Sequence, residues 1–106
     1  MKKQPWAPSD ATDIIRKIAR NPSEFIYKNH ARERMAEREI LIGDVLYVLK
    51  NGYVYENPEP STRAGFYKYK IESKSPNSGF RKLRVVVIPD ALKNILKIIT
   101  VMFVDE

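Results

Sequence analysis

Apolar residues recur at helical spacing near the start of the chain. The segment PSDATDIIRKIARNP predicts a helix that ends at Asn21-Pro22, because proline interrupts a helix. Ser9 or Asp10 is the expected N-cap, since either side chain can accept a hydrogen bond from the first turn. The apolar stripe of this helix consists of Ile14, Ile15 and Ile18.

Two further helices are predicted after a short strand candidate, SEFIYK. One covers about His30 to Arg38, and the other covers about Gly43 to Lys50. Asp44 favours the positive end of the latter helix, and Asn51-Gly52 is expected to close it. Its predicted buried face consists of Val45, Leu46 and Leu49.

From Tyr53 onward the pattern changes to that of β-strands. YVYEN, GFYKYKIES, KLRVVVIP and NILKIITVMFV are rich in β-branched and aromatic residues, whereas NPEPSTRAG, SPNSG and PDALKN have the composition of turns. Consecutive strands with short turns form an antiparallel meander, and the last two, apolar on both faces, should be central. The sequence therefore predicts an α+β protein with two or three N-terminal helices packed on one face of a four- to five-stranded, mainly antiparallel sheet.

The second long β-run alternates aromatic and cationic residues. Its two faces should carry Tyr67, Tyr69 and Ile71 on one side and Phe66, Lys68 and Lys70 on the other. This strand is either a platform on which nucleic-acid bases stack or a sheet face that covers the core. In the last run Thr100 interrupts apolar residues, so its hydroxyl is expected to be hydrogen-bonded or exposed to a cleft.

Length and composition limit the class of protein. A chain of 106 residues with 43% hydrophobic residues is expected to form a single domain, 1–106, with one modest core. With no cysteine and one histidine, neither a disulfide framework nor a zinc site is expected, and we predict no cofactor. No apolar run approaches the ~18 residues of a membrane span, and no signal-peptide pattern follows Lys2 and Lys3. These features favour a cytoplasmic protein without a membrane partner.

The positive charge of the chain is concentrated in one segment. Between Arg63 and Arg84 there are seven cations and one acid, whereas cations and acids balance in the rest of a chain whose net charge is +6. A localised basic segment favours a polyanionic partner such as RNA. The alternative is a set of solvated lysines that keep a sheet edge from aggregating.

The segment HARERMAERE, residues 30–39, contains the single histidine. At the ~100° step of a helix, His30, Arg34 and Arg38 form a row at about 0°, 40° and 80°, beside the apolar Ala31 and Met35. Arginine binds phosphate bidentately, and histidine exchanges a proton near neutral pH, so the row suits chemistry on RNA. The plainer alternative is a charged surface helix with a structural histidine.

Here the residues resemble a known family. HARERMAEREILIGDVLYVLKNG, with the later YKYKI, LRVVVI and IITV, resembles small bacterial proteins known only as a domain of unknown function. Their pattern is a strand, H-x-x-x-R-M-x-x-R-x-I, a helix that contains D-V and ends in N-G, and a β-meander. That family is grouped with RelE/ParE-like toxins and with the ribonuclease-toxin fold of barnase-like and colicin-type nucleases. The resemblance covers about Phe25 to Val104, and it departs at Leu41, where relatives place a Ser or Thr cap.

The resemblance implies a RelE-like toxin domain over 22–106 after a helical extension, 1–21. It also implies a metal-independent endoribonuclease, the toxin of a toxin–antitoxin pair, which acts on RNA, with ribosome-bound mRNA as one candidate substrate, and is neutralised by a cognate antitoxin. His30 would be the general base or acid, Arg34 and Arg38 would hold the phosphate, and Thr100 would orient the site. The expected RNA-binding residues are Lys68, Lys70, Tyr67, Tyr69, Arg81 and Arg84. The alternatives are a non-enzymatic module that binds nucleic acid or protein, and a gyrase-directed toxin of the ParE type.

Overall fold

Residues 2–106, which the computed structural model describes, contain three helices and six strands. The elements are α1 (Pro8–Arg20), β1 (Glu24–Tyr27), α2 (Asn29–Glu37), α3 (Ile42–Asn51), β2 (Tyr53–Val54), β3 (Glu59–Pro60), β4 (Tyr67–Ser73), β5 (Leu83–Asp90) and β6 (Ile95–Phe103). The predicted α+β class is confirmed, but the strand count is higher. The additional strand is β3, two residues long, which pairs with β4 within the segment NPEPSTRAG that the sequence predicts to be a turn.

Helix α1 begins at Pro8, two residues earlier than a Ser9 cap allows and three earlier than an Asp10 cap allows. Ala7 occupies the N-cap position with extended backbone, and no side chain caps this helix. Pro8 takes the first helical position, because its fixed φ suits a helix and it has no N–H group to leave without a partner. Ser9 and Asp10 therefore lie inside the first turn, where the Asp10 carboxylate favours the positive helix end.

Helix α3 buries a stripe that differs in one member from the prediction. Val45, Val48 and Leu49 are fully buried, whereas Leu46 is only half-buried. This i, i+3, i+4 spacing is the one that keeps side chains on a single helix face. Gly52 ends the helix as predicted, and a Cβ atom there would lie 2.6 Å from the carbonyl oxygen of Val48. Only glycine therefore fits where the chain turns into β2.

The sheet has the strand order β1-β6-β5-β4-β2, with β3 pairing on β4. All the pairs are antiparallel except β1 with β6, which is parallel. The two most apolar strands, β5 and β6, are neighbours inside the sheet, as their sequence predicts. Helices α1 and α3 pack on one another and on the inner face of the sheet, and α2 packs along β6.

The two faces of the sheet differ in composition. The inner face carries the fully buried side chains Tyr69, Ile71, Leu83, Val85, Val87, Leu96, Ile98 and Val101. We call the opposite side the open face; it carries Ile26, Lys68, Lys70, Glu72, Arg84, Val86, Ile88, Ile95, Lys97, Thr100 and Met102. Half-buried aliphatic side chains and cations alternate across this open face, so it forms a solvated platform.

A β-bulge in β6 decides where Thr100 lies. Val86 is opposite Thr100 and Val87 is opposite Ile98, so Ile99 has no partner on β5. An extra residue in one strand reverses the facing of every residue beyond it. Ile98 and Val101 can therefore both point into the core, while Thr100 joins the open face.

The N-terminal arm closes one end of the core. The Trp6 ring stacks on Tyr69 with centroids 5.3 Å apart. The Tyr69 hydroxyl accepts a hydrogen bond from the Trp6 backbone N–H at 3.0 Å and donates one to Gln4 Oε1 at 3.2 Å. The same Gln4 oxygen accepts the Tyr67 backbone N–H at 3.1 Å. The arm therefore supplies both a ring and hydrogen-bond partners to β4.

The described helices are too short or too polar to span a bilayer, since across residues 2–106 no helix combines the length and hydropathy that a membrane crossing needs.

Candidate functional site

Helix α2 presents the predicted row of His30, Arg34 and Arg38 on one edge. Ala31 and Met35 face the core and are buried. The Lys28 backbone N–H, two residues before His30, donates to the Ile98 carbonyl at 3.0 Å, which places the start of α2 beside the middle of β6. The row is thus anchored next to the sheet.

The row lies on the side of α2 that faces away from the helix layer. On the other side of the buried stripe, Arg32 shares a cavity of about 300 Å³ with Met35 and with Ile42 of α3. Residues 30 and 32 lie about 200° apart around a helix, so His30 and Arg32 border opposite sides of Met35. The edge that carries His30 therefore borders the open face of the sheet.

Hydrogen bonds connect the row from end to end. Arg34 Nε donates to His30 Nε2 at 3.3 Å, and Arg34 Nη1 contacts Glu37 Oε2 at 3.3 Å. Glu37 also accepts Arg38 Nη1 at 3.1 Å, and Arg38 Nε contacts Glu106 Oε2 at 2.5 Å. His30 Nε2 is the acceptor of the Arg34 hydrogen bond, so the imidazole and the guanidinium are held beside each other.

The two arginines of the row differ in how far they are neutralised. Arg38 lies between two carboxylates, and the hydrogen bond to Glu106 is the main reason that the pKa of its guanidinium is raised. Burial acts to raise the pKa of Glu106, but hydrogen bonds from Arg38 and from the Phe103 N–H outweigh it and lower that pKa. Arg34 contacts one carboxylate only, so it has more capacity left for a phosphate.

Thr100 and the lysines predicted to bind RNA share the open face. Thr100 is opposite Val86, which is opposite Lys70, so the three side chains form a row across β6, β5 and β4. Lys68 lies one step along β4 on the same face. Lys70 Nζ is 3.7 Å from Glu56, which reduces its local charge. Within residues 2–106 no hydrogen bond or ion pair joins Thr100 to the row on α2.

Arg84 and Arg81 are both committed to carboxylates. Arg84 Nε donates to Glu72 at 2.8 Å on the open face, where the Glu72 side chain is only 10% exposed. Arg81 contacts Asp105 at 2.8 Å, and its guanidinium lies 3.7 Å from the centre of the Phe103 ring. Arg81 therefore lies beyond the end of β6 and not with the lysines of the open face.

The structure places the two predicted tyrosines away from the open face. Tyr69 is completely buried against Trp6, so it has no surface available for a base or a phosphate. Burial is also the main reason that its pKa is raised, against the lowering effect of the Trp6 N–H. Tyr67 is half-buried against the core on the same inner face. The two tyrosines of this strand therefore cover the core and are not a stacking platform for bases, whereas its lysines remain at the surface.

Two groups of residues were not singled out by the sequence patterns. Glu37 contacts both Arg34 and Arg38. Its seven-residue spacing from His30 is the sequence signal that places Glu37 and His30 on one helix edge. Three further cations, Arg63, Lys93 and Lys97, come together only through the tertiary fold. His30 is exposed and Arg34 and Arg38 are partly exposed, so the row is accessible from solvent.

The fold and the site define an α+β protein with an open, mainly antiparallel sheet and a histidine–arginine helix edge beside its solvated face. Residues 27–103 match the family described as Domain of unknown function (DUF4258), and the chain belongs to that family. No curated protein matches the chain, and no solved structure matches it.

Proposed function

We propose that this protein is a metal-independent endoribonuclease of the RelE/ParE-like toxin group, acting in the cytoplasm on RNA. The observation that carries the proposal is the contact of His30 with Arg34 on an exposed helix edge, next to an open face that holds lysines. An imidazole that can accept a proton and a guanidinium that can bind phosphate are the two groups that this reaction requires.

RNA supplies its own nucleophile, because the 2′-hydroxyl can attack the adjacent phosphorus. Arg34 Nε turns from His30 to the phosphate, where it stabilises the charge that builds on the phosphoryl oxygens. His30 Nε2 is then free to accept the proton of that hydroxyl as the new P–O bond forms. The bond to the 5′-oxygen then breaks, and that oxygen takes a proton from a second acid or from water. The products are a 2′,3′-cyclic phosphate and a 5′-hydroxyl.

Arg38 and Thr100 have supporting roles in this proposal. Arg38 is hydrogen-bonded to Glu106, so it exchanges a carboxylate for a phosphate before it can assist. Thr100 projects from β6 on the open face, where its hydroxyl can orient the RNA backbone. Lys68 and Lys70 attract the strand electrostatically, and Arg84 contributes less because Glu72 neutralises it.

A cleavage assay on matched variants tests the chemistry. His30→Ala should retain the fold and RNA binding, while the rate falls by roughly 10²–10⁴, the usual contribution of one general base. Arg34→Ala should slow cleavage and also weaken binding, because its phosphate contact exists in the ground state too. Arg32→Ala is the control, since it removes the same group from the opposite side of α2.

Chelation and product analysis complete that test. Because the 2′-hydroxyl is the nucleophile, cleavage should persist in EDTA and leave the cyclic phosphate. Equal rates for wild type and His30→Ala, with folding matched by circular dichroism, would exclude His30 from the reaction.

The proposal includes a cognate antitoxin with an acidic segment. Such a segment would cover the basic open face and the edge of α2 by charge complementarity. Expression of the protein alone should arrest growth, and co-expression with an adjacent antitoxin gene should restore it. Normal growth at high levels of folded protein would exclude a toxin.

A non-enzymatic binding module is the second candidate. It is favoured by the two carboxylates that contact Arg38, those of Glu37 and Glu106, because they occupy this cation. Such a module would bind RNA with a strong salt dependence and leave it intact. RNA that is bound but uncut by wild-type protein would select this candidate.

A further inference from the structure

A cavity of about 210 Å³ opens on the open face at the end of the sheet opposite Arg84. Its floor is aliphatic and consists of Ile26, Ile88 and Ile95, one from each of β1, β5 and β6. Its rim comes from the loop 61–66, which carries the Phe66 ring, and from Lys97 on β6. The cavity therefore combines an apolar floor with a polar rim, as small-molecule sites do.

The three cations around this cavity have no carboxylate partner in the described residues. Arg38, Arg81 and Arg84 each form an ion pair. In residues 2–106 no ion pair involves Arg63, Lys93 or Lys97, which all line the cavity. The one acid in the lining is Asp90, and its Oδ1 already accepts the backbone N–H of Lys93 at 3.1 Å. The cavity therefore has a net positive rim.

The loop that forms the rim is held by its own hydrogen bonds. The Ser61 N–H donates to the Phe66 carbonyl at 2.9 Å, and Ser61 Oγ accepts the Arg63 N–H at 3.2 Å. The Arg63 guanidinium lies 4.2 Å from the centre of the Phe66 ring. A stacked guanidinium and ring offer a flat surface on which a nucleobase can stack.

We infer that this cavity binds one nucleotide of a single-stranded RNA. The base lies over Ile88 and Ile95 against the Arg63–Phe66 pair, and Lys93 and Lys97 bind its phosphates. A flat apolar ring joined to an anion is the ligand that matches an aliphatic floor, an aromatic wall and three unpaired cations. The inference rests on the proposed function for the claim that the bound strand continues to His30.

The position of the cavity fits one continuous strand of RNA. Lys97 is adjacent to Ile98, whose carbonyl accepts the N–H of Lys28 at the start of α2. The three residues from Lys97 to Thr100 span about 10 Å at the ~3.3 Å rise of a strand. A strand of RNA that leaves the cavity along β6 would therefore run toward the start of α2, where His30 lies.

Binding of an RNA that cannot be cut tests the cavity without any cleavage. The probe is a fluorescein-labelled 2′-O-methyl oligonucleotide of ten residues, measured by anisotropy from 50 to 400 mM salt. Each phosphate contact contributes about 0.7 to the slope of log affinity against log salt concentration. Two lost contacts should therefore lower that slope by about 1.4, which corresponds to a roughly 25-fold loss of affinity at 0.1 M salt. We expect that change for the double variant Lys93→Ala/Lys97→Ala. The control is Lys50→Ala, which removes a cation from α3, outside this cavity.

Methyl NMR locates the base. Uridine monophosphate should shift the methyl signals of Ile26, Ile88 and Ile95, while inorganic phosphate should shift them much less, and the buried Ile15 should not respond to either. The oligonucleotide should bind far more tightly than the mononucleotide if RNA, and not a free nucleotide, is the ligand. Silent cavity methyls, or an equal loss of affinity in Lys50→Ala, would overturn the inference.

The outcomes separate this inference from the proposed function. Binding in the cavity together with uncut RNA would refute the ribonuclease and retain the nucleotide site. Cleavage that depends on His30, together with unchanged binding in the double lysine variant, would retain the ribonuclease and refute the nucleotide site.

Discussion

Tyr69→Phe tests whether this tyrosine is a structural residue or an RNA contact, because it removes one oxygen and keeps the ring. The hydroxyl accepts the backbone N–H of Trp6 at 3.0 Å, and Trp6 is only 3% exposed. Removal of the hydroxyl leaves that buried N–H without a partner, which costs about 1–3 kcal/mol. Gln4 Oε1 also loses the hydrogen bond from the Tyr69 hydroxyl, but it still accepts the Tyr67 N–H, so this second loss costs less free energy.

We therefore expect the variant to lower the free energy of unfolding by about 2 kcal/mol. With a urea m-value of about 1–3 kcal/mol/M, the midpoint should fall by roughly 1 M. Urea denaturation followed by circular dichroism and by Trp6 fluorescence measures the change. Tyr67→Phe is the matched control, because no hydrogen bond of the Tyr67 hydroxyl is present in residues 2–106, and its effect should stay below about 0.5 kcal/mol.

The raised pKa of the Tyr69 hydroxyl leads us to expect that the protein loses stability at alkaline pH. Burial is the main reason that the pKa of Tyr69 is raised in the folded state, so the unfolded chain loses the phenolic proton first. Stability from this group is therefore complete below the unfolded pKa of about 10 and falls as the pH rises above it. Tyr69→Phe should flatten that decline. If Tyr69→Phe weakened RNA binding and left the urea midpoint unchanged, the structural role of Tyr69 would be refuted.

Three further variants test local features of the fold. Leu41→Ser should stabilise the protein by about 0.5–1 kcal/mol in thermal denaturation, since it supplies the missing cap of α3 at an exposed position with extended backbone; a loss of stability would contradict this. Glu39→Gly should raise the free energy of unfolding by about 1 kcal/mol, because Glu39 has φ +55° at the end of α2, where glycine is unstrained. An equal gain from Glu39→Ala would show that relief of backbone strain is not the cause. The hydrogen bond from Arg81 lowers the pKa of Asp105, so this pair stabilises the fold above about pH 4 and loses its effect as the pH falls; Asp105→Asn should reduce the acid dependence of the melting temperature.

The hydrophobic pattern alone determined most of the secondary structure. The spacing of Ile14, Ile15 and Ile18 located α1, and the alternating and fully apolar runs located β4, β5 and β6. These predictions succeeded because each element has to bury one stripe or face, and that requirement is written locally in the order of residues. The row of His30, Arg34 and Arg38 was predictable for the same reason, since four-residue spacing places side chains on one helix edge.

The facing of Thr100 required the tertiary structure. Simple alternation along β6 gives residue 100 the same side as Leu96 and Ile98, which are buried in the core. The bulge at Ile99 reverses that order and turns Thr100 to the open face. A bulge depends on the register with β5, and pairing between strands distant along the chain is not encoded in the period of one strand.

The charge distribution also changed meaning once the chain was folded. The basic segment between residues 63 and 84 is continuous in sequence, but Arg81 and Arg84 are neutralised by Asp105 and Glu72. Arg63, at the start of that segment, has no such partner, and it meets Lys93 and Lys97, which follow the segment, around one cavity. Net charge per segment is additive along a chain, whereas ion pairing depends on which side chains the fold brings within a few ångströms. For this reason the sequence indicated that cations matter, and only the three-dimensional structure decided which of them are free to bind.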